Sequence, residues 1–214
     1  MIDLKKYKHV IWDWNGTLFE DVTLCCSIMQ NILARRDMGS ITIERYREVF
    51  TFPVKEYYKR VGHDVGDENW EILSHEFMDE YEARKFECGL FKEAILVLEH
   101  IKSLGIGQSV LSAYSQHTLE EMIDHFGLAK FFVRLIGLDN IYAASKLDNG
   151  IKWMKELGHS EGEVLLIGDT VHDCEVALEI RADSLMFAEG HQGRESLESC
   201  KAVIIDSLSD LLSR

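Results

Sequence analysis

The chain of 214 residues predicts an α/β fold, a doubly wound parallel sheet with a large helical insert. Three observations carry this reading: six apolar runs of strand length, helical patterns between most of them, and one long helix-rich interruption after the first run. The runs cover residues 9–14, 108–113, 132–137, 163–168, 184–188 and 202–205. Runs such as Val164-Leu165-Leu166-Ile167 do not alternate with polar residues, which suits parallel strands covered on both faces.

Between the runs, residues 90–105 place Phe91, Ile95, Leu98 and Ile101 on one helical face and end at Gly105, a stop signal. Residues 118–126, 146–157 and 171–181 read as helices in the same way. The interval between the first and second strands is far longer than an ordinary crossover. It reads as four helices, over residues 21–38, 42–50, 54–61 and 68–86, with Pro53 at a place where a helix can start. The expected division is a core of residues 1–17 and 88–214 and an inserted helical unit of residues 18–87.

Lys and Arg total 23 and Asp and Glu 37, so the formal charge is 23 minus 37, or −14. Such a surface repels nucleic-acid phosphates and anionic lipid headgroups, and no basic run offsets it. Neither class of partner is expected, and an anionic substrate needs a local positive centre. The N-terminal stretch has no apolar run of signal length, and nothing approaches the roughly 18 apolar residues of a membrane span. A cytoplasmic location is expected. Cys25, Cys26, Cys88, Cys174 and Cys200 are scattered and form no CxxC pair, so reduced thiols are expected rather than a disulfide framework or zinc site.

In open α/β sheets, ligands bind beyond the carboxyl ends of the strands. The first run ends in Asp13-Trp14-Asn15-Gly16-Thr17, the second in Ser112-Ala113, and the fourth in Gly168-Asp169-Thr170-Val171-His172-Asp173. Lys146 opens the helix before that fourth run. These types suit phosphoryl transfer. A carboxylate such as Asp13 can attack phosphorus and split one hard step into two. Asp13 and Asp169 make a hard oxygen site for Mg²⁺, and Ser112 and Lys146 can hold phosphoryl oxygens and offset developing charge. Gly16 permits a tight turn close to the substrate.

The order DxxGT, a hydrophobic strand ending in Ser, a lone Lys, then GDxxxD resembles the haloacid-dehalogenase superfamily of phosphatases, closest in style to its phosphoglycolate-phosphatase-like members. The resemblance spans nearly the whole chain. It implies a Rossmann-like core, with the helical insert as a cap of the first class, and a small phosphorylated metabolite as substrate. It further implies Asp13 as nucleophile and metal ligand, the backbone carbonyl of Asn15 as a second ligand, and Thr17 positioning the turn beside the substrate. Ser112 and the backbone of Ala113 would bind phosphate, and Lys146 would bridge nucleophile and phosphate. Asp169 would ligate Mg²⁺, and Asp173 would hold Lys146 or metal-bound water.

One residue departs from that pattern. Most phosphatases of this family carry a second Asp two positions after the nucleophile, to protonate the leaving oxygen and then activate water. Here the position is Asn15, and an amide donates a hydrogen bond but cannot trade a proton. General acid–base catalysis typically contributes about 10²–10⁴-fold. Three readings stay open: a phosphatase with a substitute acid/base or restricted to easy leaving groups such as acyl phosphates; related non-phosphatase chemistry; or a weak or inactive relative that binds a phosphorylated ligand. The intact metal ligands disfavour the metal-free dehalogenase branch.

His172 and His191 are candidates for the missing acid/base, since imidazole titrates near neutrality; the plainer reading has them shaping loops. Tyr57, Tyr58, Lys59 and His63 lie where a cap supplies substrate contacts, or where helices simply pack. Trp14 is a candidate pocket residue and Trp12 a core residue. Asp21 is expected to cap a helix, and the acidic stretch 67–87 to be a solvated helix face.

Overall fold

The computed structural model describes residues 2–139 and 146–212. All six apolar runs become strands of one parallel sheet: β1 (His9–Trp12), β4 (Gly107–Ser115), β5 (Arg134–Leu138), β6 (Val164–Gly168), β7 (Asp183–Phe187) and β8 (Val203–Ile205). Their order is β5-β4-β1-β6-β7-β8. The chain therefore builds outward from β1 in one direction, then returns to build in the other. The crevice beyond the carboxyl end of β1 is the switch point of such a sheet. Trp12 pairs with Val110 on one side and Ile167 on the other, which places the segments after β1 and β6 shoulder to shoulder.

Two further strands, β2 (Phe19–Glu20) and β3 (Gly89–Leu90), pair antiparallel where the chain leaves and re-enters the core. With two residues each, they carry no periodic signal. Strand β4 also differs from expectation. It runs on to Ser115, and its register against β5 shifts between Leu111 and Ser115. Ser112 and Ala113 thus sit within an irregular stretch of strand rather than at its end.

Four helices lie between β2 and β3: α1 (Val22–Ala34), α2 (Ile43–Val49), α3 (Val54–Val61) and α4 (Asp67–Arg84). Thr42 caps α2 by accepting from the Arg45 N–H at 3.2 Å. Helix α1 turns Ile28, Met29 and Ile32 inward, all fully buried. The acidic stretch of α4 is not wholly solvated: Glu76 and Glu80 face α1, pairing with Arg35 at 2.8 and 2.9 Å. No described helix is long and apolar enough to cross a membrane.

The remaining helices are α5 (Ala94–Ser103), α6 (Gln116–His125), α7 (Leu147–Leu157), α8 (Val171–Glu179) and the short α9 (Arg194–Leu197). The buried face of α5 is Ala94, Val97, Leu98 and Ile101, and Ile95 is exposed. The expected stripe through Phe91 and Ile95 fails because the helix begins only at Ala94, so Phe91 precedes it and packs edge-on against Phe187 instead. All five cysteines are free thiols.

Candidate active site

Asp13 directly follows β1, and its N–H donates to the Ile167 carbonyl of β6 at 2.8 Å. The next turn is tight. The Gly16 N–H donates to Phe19 O at 2.9 Å, and Gly16 takes a φ of 73°, in the left-handed region. A Cβ at Gly16 would collide with the Asp169 carboxylate and the His191 ring, so glycine is required by space as well as by torsion. None of the turn's hydrogen bonds uses the Asn15 carbonyl, which has no partner among the described residues.

Lys146 lies at the start of α7, 3% exposed. Its ammonium contacts Asp13 Oδ1, reaches Asp173 Oδ1 at 2.6 Å and donates to Leu111 O at 3.0 Å. Asp173 is held independently of it. Its Oδ2 accepts from the Thr170 N–H at 3.0 Å and from the Thr170 hydroxyl at 2.7 Å, a capping box at the start of α8. Burial opposes the charge on Asp173, but Lys146 outweighs it and the carboxyl is held below its ordinary range. For Asp13, burial wins. One ammonium shared between two carboxylates does not compensate it, and its pKa is raised well above the ordinary value.

Asp169, at the end of β6, accepts from the Thr17 hydroxyl at 3.0 Å and from the His191 N–H at 2.7 Å. Burial raises it to about 6, with the His191 charge acting against. Thr17 was expected beside the substrate. It is instead completely buried, and its hydroxyl is committed to Asp169, so it orients that carboxylate and does not touch the cavity.

Carboxylate oxygens of Asp13, Asp169 and Asp173 lie within 4.8 Å of one another, all buried. Three carboxylates against one lysine is an excess of negative charge in a low-dielectric place, and Asn15, whose carbonyl has no partner among the described residues, lines the same cavity. That donor set fits a hard divalent cation.

The Asn15 side chain turns away from this floor. Its amide donates to Asp21 Oδ2 and to the Tyr81 hydroxyl, both at 2.8 Å. Asp21, 1% exposed, is a hub rather than the expected helix cap, and makes no capping bond. It accepts from the Gly16 N–H at 3.1 Å and the Tyr81 hydroxyl at 2.7 Å, and pairs with His191 Nε2 at 3.2 Å. The other His191 nitrogen meets the Tyr46 hydroxyl at 2.8 Å. Burial works against charge on His191, but Asp21 prevails and raises it to about 9; the same partners hold Asp21 below its ordinary range despite burial. His191 is therefore an ion-pair partner that joins the motif turn to α2. The sequence singled out His191 and Asp21 separately; Tyr46 and Tyr81 lie too far away along the chain to be tied to them by any local pattern.

A cavity of about 150 Å³ opens over Asp13, Lys146 and Asp169. Ser112, Ala113 and Asp173 line its floor, Asn15 its wall, and its roof is aromatic, from α2 through α4. Of the insert residues singled out, Tyr57 and Tyr58 line it, while His63 and Lys59 do not. His172 lines it and stacks on Phe52 at 5.0 Å, with Nε2 lacking a partner among the described residues. Trp14, expected as a pocket residue, is completely buried and does not line the cavity, because its ring packs in the core, stacked on Phe19 at 5.4 Å and against Phe126 at 6.4 Å. Trp12 is core, its Nε1 donating to Gln108 at 3.0 Å.

Residues 10–187 match the haloacid dehalogenase-like hydrolase family. A phosphoglycolate phosphatase of Vibrio parahaemolyticus is 22% identical over 90% of this chain and 74% of its own. Among solved structures, a predicted phosphatase from Clostridium acetobutylicum superposes with a TM-score of 0.81 at 21% identity, covering 96% of both chains. A haloacid dehalogenase-like family hydrolase from Streptococcus pneumoniae superposes with a TM-score of 0.82 at 18% identity, covering 97% of both. Together these show that the chain belongs to the haloacid dehalogenase-like hydrolase family, with the fold of its phosphatase-like members.

Proposed function

We propose that this hydrolase is a magnesium-dependent phosphatase that acts on a small phosphorylated metabolite through an aspartyl-phosphate on Asp13, beneath a cap formed by residues 18–87. The observation that carries the reading is the Lys146 ammonium held between Asp13 and Asp173 at the cavity floor, with Asp169 opposite. Asp13, Asp169 and the Asn15 carbonyl would hold the metal, with Asp173 in reach; when bound, it offsets negative charge so that a phosphate dianion can approach a carboxylate.

The chain's own residues supply the rest. Lys146 orients the Asp13 carboxylate and, with Ser112 and the backbone at Ala113, receives the phosphoryl oxygens. Thr17 and the His191 N–H fix the rotamer of Asp169. Asn15 cannot move a proton, and both of its N–H bonds already have acceptors, so it holds the turn against the cap. Fast turnover is then confined to esters or anhydrides that leave without being protonated. The alternative, a crippled relative that binds a phosphorylated ligand, draws on that same amide.

The test is acetyl phosphate hydrolysis with Mg²⁺ and with chelator, on wild type and Asp13→Asn. Turnover is expected to require both the metal and Asp13, and Asp13→Asn is expected to lose roughly four orders of magnitude or more. Equal background rates in the two folded proteins would favour the binding protein.

A further inference from the structure

We infer that the substrate of this site is a monocyclic aryl monophosphate, with a compact uncharged phenol as leaving group, rather than a phosphorylated carboxylic acid. The inference rests on Asp13 being the nucleophile of a phosphatase, and three features of the chain lead to it.

The first is the roof. Opposite the floor the cavity is walled by Phe50, Tyr57, Trp70, Phe77, Met78 and Tyr81. The whole cavity is only about 150 Å³, a volume comparable to one that holds a benzene ring, so with a phosphoryl group on the floor the space beneath the apolar walls takes no more than a single compact ring. The wall rings support one another: Phe50 and Tyr57 meet tilted with centroids 5.3 Å apart, and Phe77 and Tyr81 stack at 6.0 Å, an aromatic lining that suits a guest ring.

The second is charge. Among the described lining residues, Lys146 is committed to two carboxylates and His191 to Asp21, which leaves His172, beside the floor, as the one other basic side chain. Asp13, Asp21, Asp169 and Asp173 line the same space. A carboxylate on the leaving group would enter an apolar, net-negative chamber with no ammonium or guanidinium in the roof to receive it. The one orphaned polar group of the roof is neutral: the Tyr57 hydroxyl, buried and without a partner among the described residues, which suits a single polar ring substituent.

The third is the amide at Asn15. As an Asp13 carboxylate oxygen bonds to phosphorus, the phosphorus–oxygen bond of the ester breaks and its electron pair departs with the aryloxide. Water then attacks the phosphoryl group, restoring the Asp13 carboxylate and giving phosphate, and one water proton ends on the phenol. A phenoxide is stable enough to depart without a proton delivered in the first step, whereas an alkoxide such as that of glycolate is not. The roof and the amide thus select the same chemistry independently.

The test compares kcat/KM for phenyl phosphate, phosphoglycolate and acetyl phosphate with Mg²⁺. Phenyl phosphate is expected to exceed phosphoglycolate by about 100-fold, the cost of one charged group left unsatisfied. Met78→Arg, which adds a cation to the roof, is expected to move that ratio toward phosphoglycolate by about tenfold. Competition by phenylphosphonate against phosphonoacetate reads the same preference without chemistry, should that variant not fold. Phosphoglycolate turned over as well as phenyl phosphate, in an Asp13-dependent reaction, would overturn the inference and leave the phosphatase standing. Loss of Asp13-dependent turnover on every substrate, acetyl phosphate included, would remove the phosphatase reading itself.

Discussion

The central strand β1 has a buried polar residue at each end, and the protein treats the two in opposite ways. At the carboxyl end, Asp13 sits among like charges beside a cavity, its pKa raised by burial that a shared lysine does not offset. At the amino end, His9 is 2% exposed and is paired through Nε2 with the Ser109 hydroxyl at 2.8 Å. The same hydroxyl accepts from Trp153 Nε1 at 2.9 Å. Burial, and after it the charge of His159, lowers His9 to about 4, so it is neutral at physiological pH. Where the strand needs only to be filled, polar groups are satisfied by neutral hydrogen bonds. Where charge is used, its cost is retained and its geometry over-determined.

Three changes press on that contrast. The largest effect is expected at the charged end. Lys146→Gln leaves Asp13 and Asp173 facing each other with no cation between them. It should lower kcat by roughly 10³-fold and lower the unfolding free energy by about 3–5 kcal/mol. Acetyl phosphate kinetics and urea titration read the two losses; near-wild-type values of both would show that the lysine is neither structural nor functional.

A smaller change is expected from Asn15→Asp. It installs the usual acid/base, but 2.8 Å from Asp21 Oδ2, where two carboxyls must share a proton. Alkyl phosphates should gain about 10²-fold relative to phenyl phosphate, while stability falls by about 1–3 kcal/mol. An unchanged ratio of the two substrates would mean that this position does not govern proton transfer here.

The smallest effect belongs to the neutral end. His9 binds its proton near pH 6.5 when unfolded but only near 4 when folded, so stability is full above 6.5 and is lost as pH falls toward 4. The wild type should be on the order of 2 kcal/mol less stable at pH 5 than at pH 7 on this account. His9→Asn should lack that increment while keeping its kcat. Parallel urea midpoints for the two proteins at both pH values would sink the idea.

The parts of the molecule legible from sequence are those in which each residue announces its own surroundings. Runs like Val164–Gly168 are apolar on both faces because both faces are covered. Asp13, Lys146, Asp169 and Asp173 stand at strand ends and helix starts, so topology alone brings them together. What stayed hidden depends on partners far along the chain. Asp21 reads as a helix cap until Tyr81 and His191 arrive from sixty and more residues away. Trp14 reads as a pocket residue because it follows Asp13, and the direction of its side chain is settled by packing on Phe19 and Phe126. The pairing of β2 with β3 involves too few residues to leave a pattern.

That short pairing has a consequence for how such a protein can change over generations. Phe19 lies against Leu90 and Glu20 against Gly89, and the Phe91 N–H donates to Leu18 O at 3.0 Å. The chain that departs from the sheet thus returns beside its own point of departure, and everything between forms a loop whose ends are already clasped. Doubling the length of a closed loop costs only about 0.6 kcal/mol in entropy. The helices above the clasp can therefore be lengthened, trimmed or exchanged by drift with little penalty to the sheet below, so a lineage can acquire new substrates while the register that aligns Asp13 with Asp169 is inherited unaltered.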